Sequence, residues 1–164
     1  MILSGPVIVQ KVLINGVEVD DMVSCELPNI EYMTAEMKGA GIAGTSDEPM
    51  QGLTNALNFK IATRSVNKNA HLLMTSGELK IELRVGHNEN DKYVFIKVFM
   101  TAKCKNYSPG KSENANHMES SAEYNVTRYR QVADGVETLL IDKYAFIHKI
   151  NGVDVLEKLR AGLN

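Results

Sequence analysis

Cys25 and Cys104 are the chain's two cysteines. They are too few and too widely spaced for a disulfide framework or a zinc knuckle. Both fall in strand-like apolar runs, where buried reduced thiols are expected. No apolar run approaches the roughly 20 residues that span a bilayer, so no membrane partner is expected. The start, Met1-Ile2-Leu3-Ser4-Gly5-Pro6, lacks the basic and long apolar regions of a secretory signal, which makes the cytoplasm the default expectation. Without such a signal, Asn106-Tyr107-Ser108 and Asn125-Val126-Thr127 carry no weight as glycosylation sites. Positive charge is not in excess either. A formal charge of -2 argues against binding nucleic acid by broad phosphate neutralisation.

Concentrated chemistry is also missing. His71, His87, His117 and His148 share no metal-ligand spacing with one another or with the cysteines. His87 and His117 read as solvated loop residues, and His71 and His148 as packing or surface residues. No serine sits in a nucleophile elbow, and no carboxylate pair stands out. Gly39-Ala40-Gly41-Ile42-Ala43-Gly44 matches the dinucleotide fingerprint in letters. That motif needs a buried strand before it and a helix opening within it. Glu31 to Lys38 is no such strand, and Thr45-Ser46-Asp47-Glu48-Pro49 will not open that helix. No catalytic residue, cofactor or metal is expected.

What is present is β-structure. A length of 164 residues, with 44% hydrophobic and 23% charged content, suits one soluble domain over 1–164. Val7 to Val19 reads as a hairpin about Asn15-Gly16, and Met22 to Leu27 as a strand ending at Pro28. Glu31 to Gly52 has no sustained period and is expected to be a long functional loop. Leu57, Phe59 and Ile61 alternate with polar neighbours. Ser65 to Ser76 reads as an internal helix ended by Gly77.

From Glu78 the alternation is unbroken. Leu79 to Val85 turns at His87-Asn88-Glu89-Asn90-Asp91 into Tyr93 to Cys104, whose even positions should face a core. Phe95 and Phe99 then lie on the opposite, nominally wet face, which marks either an interface, as exposed aromatics do, or a helix packed over that face. Asn106 to His117 reads as a polar loop and Glu119 to Val132 as a strand with Ala122, Tyr124 and Val126 inward. Asp134-Gly135 and Asn151-Gly152 are tight turns. Asp154 and Glu157 form a capping-box pattern for a short terminal helix, with Gly162 as its left-handed stop. Val155, Leu156 and Leu159 should dock that helix, since two turns cannot stand alone in water. The sum is a mostly β, α+β antiparallel barrel or sandwich of seven or eight strands, one internal helix and a short C-terminal helix.

Asp134-Gly135-Val136-Glu137, Ile141-Asp142 and Ile147 to Asp154, followed by Leu156, Arg160 and Gly162-Leu163, carry a resemblance. They resemble the C-terminal signature of the major tail tube proteins of contractile-tailed bacteriophages and R-type pyocins. Asn151-Gly152-Val153-Asp154 is its most specific part. The front hairpin, Leu27-Pro28 and a tyrosine before the glycine-rich Lys38 to Gly44 agree in order, whereas Met1 to Gly5 departs from the family's start.

The resemblance implies a fold like the type VI secretion tube protein, in hexameric rings stacked into a tube within a sheath. Tape-measure protein and DNA pass its lumen, the DNA without specific binding, and baseplate and tail terminator proteins bound the tube. It implies a virion or tailocin particle assembled in the bacterial cytoplasm. A loop at about 31–52 would touch the adjacent ring or subunit, through Tyr32, Met33, Met37, Lys38, Gly39, Gly41, Ile42, Gly44 and Pro49, with Phe95 and Phe99 at a subunit interface. Two alternatives remain: a DNA-free pyocin-like or secretion-like tube, and, from another class, a small cytosolic β-barrel that binds a ligand or acts as an enzyme.

Overall fold

The computed structural model describes residues 1–164. Strand β1 (Ser4–Ile14) turns through Asn15 and Gly16 into β2 (Val17–Glu18). Both turn residues have positive φ, 50° and 81°, which matches the twist of a tight hairpin. β3 (Met22–Glu26) follows, then a separate two-stranded ribbon, β4 (Tyr32–Lys38) and β5 (Thr45–Thr54). The remaining strands are β6 (Leu57–Thr63), β7 (Leu79–Glu89), β8 (Lys92–Ser108), β9 (Ser120–Ala133), β10 (Val136–Asp142), β11 (Ile147–Ile150) and β12 (Val153–Asp154). Helix α1 (Glu157–Gly162) comes after them.

The long sheet runs β12-β11-β10-β9-β8-β7-β1-β2, with every pair antiparallel. β9 is shared. Its second half pairs with β10, while its first half pairs with β6, which in turn carries β3. This fork curls the sheet over its own core, and the Gln10 side-chain amide donates 3.0 Å to the Val23 carbonyl across the remaining gap between β1 and β3.

Registers decide the faces, because cross-strand partners point the same way. Ile14, Ile81, Met100, Tyr129, Ile141 and His148 form one row on the core side. Leu57, Phe59, Ile61, Ala122, Tyr124 and Val126 meet them from the β6 half in one buried cluster. The opposite side of β1, β7, β8, β9 and β10 is mostly exposed or half-buried, although Thr101 and Leu140 are buried on it. One row there is Lys11, Arg84, Lys97, Val132 and Glu137; the next contains Glu82, Phe99 and Arg130; a third contains Lys80, Thr101, Arg128 and Asp142.

Five expectations are corrected. The internal helix shrinks to a single 3₁₀ turn, Ala70–Met74. Asn67 Oδ1 accepts the Asn69 amide at 2.8 Å, which sets a local turn where a helix would start. The buried Tyr124 hydroxyl donates to the Leu73 carbonyl at 2.7 Å, which takes that acceptor from any longer helix. The segment from Glu31 to Gly52 is no structureless loop but the paired ribbon of β4 and β5. His87 is not a solvated tip residue; β7 runs on to Glu89 and buries it. The polar loop is also shorter than expected, since β8 continues to Ser108. The cysteines are free as expected, but both are half-buried rather than buried, and burial pushes the Cys25 thiol up to about 11.

Candidate assembly site

The β4–β5 ribbon is an arm. Its strands pair only with each other, from Tyr32 opposite Thr54 to Lys38 opposite Thr45. The register slips between Tyr32 and Thr34, so that Thr34 faces Pro49. Proline is tolerated there because both strands of a ribbon are edges. Gly39, Gly41 and Gly44 make the tip, all at positive φ, and Ile42 donates back to the Gly39 carbonyl at 3.1 Å. The fingerprint letters thus encode a turn between two paired strands, not the strand-to-helix junction that the motif needs. Met33, Met37 and Ile42 are exposed along the arm, as is Met50 on β5. Glu36 lies directly opposite Asp47, a like-charged pair that slightly weakens an isolated ribbon.

The base of the arm sits in a socket built by the C-terminal signature. Asn151 and Gly152 turn β11 into β12 at φ of 49° and 84°. That turn puts Asp154 opposite Lys149. Asp154 Oδ1 accepts the backbone amides of Leu156 at 3.1 Å and His148 at 3.4 Å, and Arg160 Nη2 lies 2.7 Å from Oδ2. Burial pushes this carboxyl up, but Arg160 and the two amides outweigh it and hold it below the ordinary range. Arg160 also donates to the Phe146 carbonyl at 2.8 Å. Asp154 is therefore no helix cap. α1 begins at Glu157 with no side-chain cap, because the carboxylate is already committed to β11 and Arg160. Nor does Gly162 stop the helix in a left-handed turn; it is the last helical residue, and Leu163 beyond it stays right-handed.

Two contacts join arm to socket. The Tyr32 hydroxyl lies 2.9 Å from His148 Nε2, and the rings meet edge to face at 5.4 Å. His148 is fully buried and its Nδ1 has no partner. Burial pushes its imidazole below the ordinary range, against the pull of Asp154. The second contact is Leu156 on Gly52, where a Cβ would lie 2.5 Å from Leu156 Cδ2. Of the three apolar residues expected to dock α1, Leu156 alone is buried; Val155 and Leu159 stay exposed. A cavity of about 170 Å³ between Met33, Leu53, Phe146 and Leu156 marks the joint. Lys143 Nζ donates to the Asn55 carbonyl at 2.9 Å behind it.

Phe95 and Phe99 lie apart in environment. Phe99 is half-buried under the Arg130 guanidinium, 5.4 Å from its ring. Phe95 is exposed at the sheet's end, where its ring and Val9 converge over Gly86. Val7, Ile8 and Val9 are all exposed on that stretch of β1, beyond the two residues where β2 covers its outer edge. His148 was not singled out for the site, and its only sequence signal was an imidazole on the short strand Ile147–Ile150.

No group of three or more His, Cys, Asp or Glu side chains gathers to hold a metal. The polar contacts of Asp154, Arg160, His148 and Tyr32 fix an arm in place. A curled antiparallel sheet with one projecting ribbon and bare edges defines an assembly subunit. The chain belongs to the phage tail tube protein FII family, whose profile matches residues 8–163. It is similar to the tail tube protein of Escherichia phage P2, with 24% identity over 146 residues covering 85% of each chain. It is a structural subunit of a phage tail tube and not an enzyme.

Proposed function

We propose that six copies close into a ring and that the rings stack as the inner tube of a contractile tail. The sheath surrounds that tube, baseplate and tail terminator proteins bound it, and tape-measure protein and DNA pass its central channel. The observation that carries this reading is the arm. A ribbon anchored at its base and paired only with itself gains its ordering contacts from a neighbour. Met33, Met37 and Ile42, with the flexible glycine tip, face that neighbour in the adjacent ring. Phe95 with Val9 supplies apolar area for the lateral contact, next to the unpaired β1 edge.

Negative-stain microscopy of the purified protein tests the reading. Rings or tubes with a central hole are the expected result. A persistent monomer at high protein concentration would sink it. A particle purified with no DNA in its lumen and no capsid genes beside its own gene would instead favour a pyocin-like or secretion-like tube.

A further inference from the structure

The arm is tied to the body by very little. β4 and β5 pair only with each other. The contact of the Tyr32 hydroxyl with His148 Nε2, at 2.9 Å, is the one side-chain hydrogen bond between the ribbon and the rest of the chain. Leu156 on Gly52 adds an apolar contact, and the cavity of about 170 Å³ beside it leaves the base of the arm room to shift. The residue that holds the tie is a titratable one. His148 is fully buried, opposite Ile141 and against the Tyr32 ring, and its Nδ1 meets no partner.

A neutral imidazole carries one proton, so one ring nitrogen donates and the other accepts. Either tautomer serves Tyr32, whose hydroxyl both donates and accepts, and the cost is one unmet nitrogen at Nδ1. An added proton makes both nitrogens donors. Nδ1 is then an unmet donor on a buried cation, and burying a charge costs far more than burying a neutral polar group. The groups around the ring are already committed. Asp154 of β12 attracts the cation, but Arg160 of α1 holds its carboxylate at 2.7 Å and two backbone amides donate to it. Asp142 of β10 lies opposite Ile147, on the other face of the sheet, and pairs with Arg128 at 3.6 Å. Lys149 shares that other face, and Lys143 donates to the Asn55 carbonyl at 2.9 Å. Tyr129 of β9, in the same row as His148, gives its hydroxyl to Gln131 at 2.7 Å. We propose that the Tyr32–His148 contact is a proton-operated latch: the neutral ring holds the arm in one direction, and protonation swings the ring out and frees the arm. Burial holds the imidazole below its ordinary range, with Asp154 pulling the other way. The latch is therefore closed at neutral pH and opens as the pH falls below the ordinary 6.5. It belongs to the single subunit, and its effect on stacking rests on the arm reading above.

Spin labels report the direction of the arm in dilute, unassembled protein. They are carried by Ile42→Cys at the tip and Lys60→Cys on β6, in a chain with Cys25→Ser and Cys104→Ser. The label-to-label distance should be narrowly distributed at about pH 8 and broad at about pH 5, with circular dichroism unchanged. His148→Gln should stay narrow at both, because its amide keeps a donor for Tyr32 and does not titrate. Tyr32→Phe should be broad at both. A narrow distribution in the parent at both pH values would overturn the latch. So would acid broadening that persists in His148→Gln, or that comes only with loss of the dichroism signal. If His148→Gln does not fold, Tyr32→Phe decides, since a parent-like acid response without the hydroxyl would overturn the latch as well. Tube growth by the parent should slow on the order of tenfold at the lower pH. Growth unchanged by a freed arm would overturn the part of the arm in stacking and leave the latch in place.

Discussion

At single positions, the joint between arm and socket is where small changes should matter most. Gly52 combines a φ of +96° with a neighbour that a Cβ would meet at 2.5 Å. Gly52→Ala should therefore cost about 2 kcal/mol, from backbone strain and a displaced Leu156, read as a lower urea midpoint with an unchanged slope. His148 gives a pH dependence whose sign follows from its burial. Its folded-state pKa lies below the ordinary 6.5, so the unfolded chain takes up the proton first as the pH falls. The stability tied to neutral His148 is whole above about pH 6.5 and is lost as the pH drops through the lower folded value. Wild-type urea midpoints should sag in that window, and those of His148→Gln should stay flatter. Asp154, held below its ordinary 3.8, adds a second loss only at more acidic pH. None of this was legible in the residues. A histidine and an aspartate six positions apart look like a strand residue and a cap until the Asn151-Gly152 turn is known to bring them together.

Among the elements, strands were legible and the two least regular segments were not. Leu57, Phe59 and Ile61, and the faultless alternation from Leu79 to Val85, need only one wet and one buried side. That is a property a sequence carries locally. The ribbon of β4 and β5 has no buried side over most of its length, so it leaves no alternation to read, and its glycines suggest a loop. Ser65 to Ser76 fails the other way. Its spacing suits a helix, but Asn67 and the Tyr124 hydroxyl offer the backbone other partners. Replacing Met33 to Pro49 with a short linker should leave a folded, soluble domain that no longer stacks, judged by circular dichroism and microscopy together. Normal stacking by that variant would remove the arm from the inter-ring contact. Asp154→Ala should melt α1 and loosen the socket by about 2 kcal/mol, since it strands Arg160 and two backbone amides.

For the whole molecule, net charge proved a poor summary. A total of -2 says nothing of how charge is shared between faces, and β alternation sends Lys80, Glu82 and Arg84 to one side. Composition argued against a general nucleic-acid binder. Topology also explains why strands could be found one by one without the fold: the fork in β9, which pairs with β6 and then β10, leaves no local mark. The exposed Val7-Ile8-Val9 stretch on the sheet's edge carries an assembly prediction of its own. Val7→Lys/Val9→Lys should leave the fold intact but shift the protein toward monomers in sedimentation velocity, as charge on an edge strand discourages pairing.

The Tyr32–His148 contact spans 116 positions of sequence, and that separation has a consequence for synthesis. The arm leaves the ribosome long before the strand that anchors it. Until β11 is made, the ribbon hangs from the nascent chain without a fixed direction and cannot present itself to a neighbour in register. Chains broken off before that point carry an arm but no aim. Under the ring reading proposed above, an early segment thus waits on a late one before it can meet a neighbour.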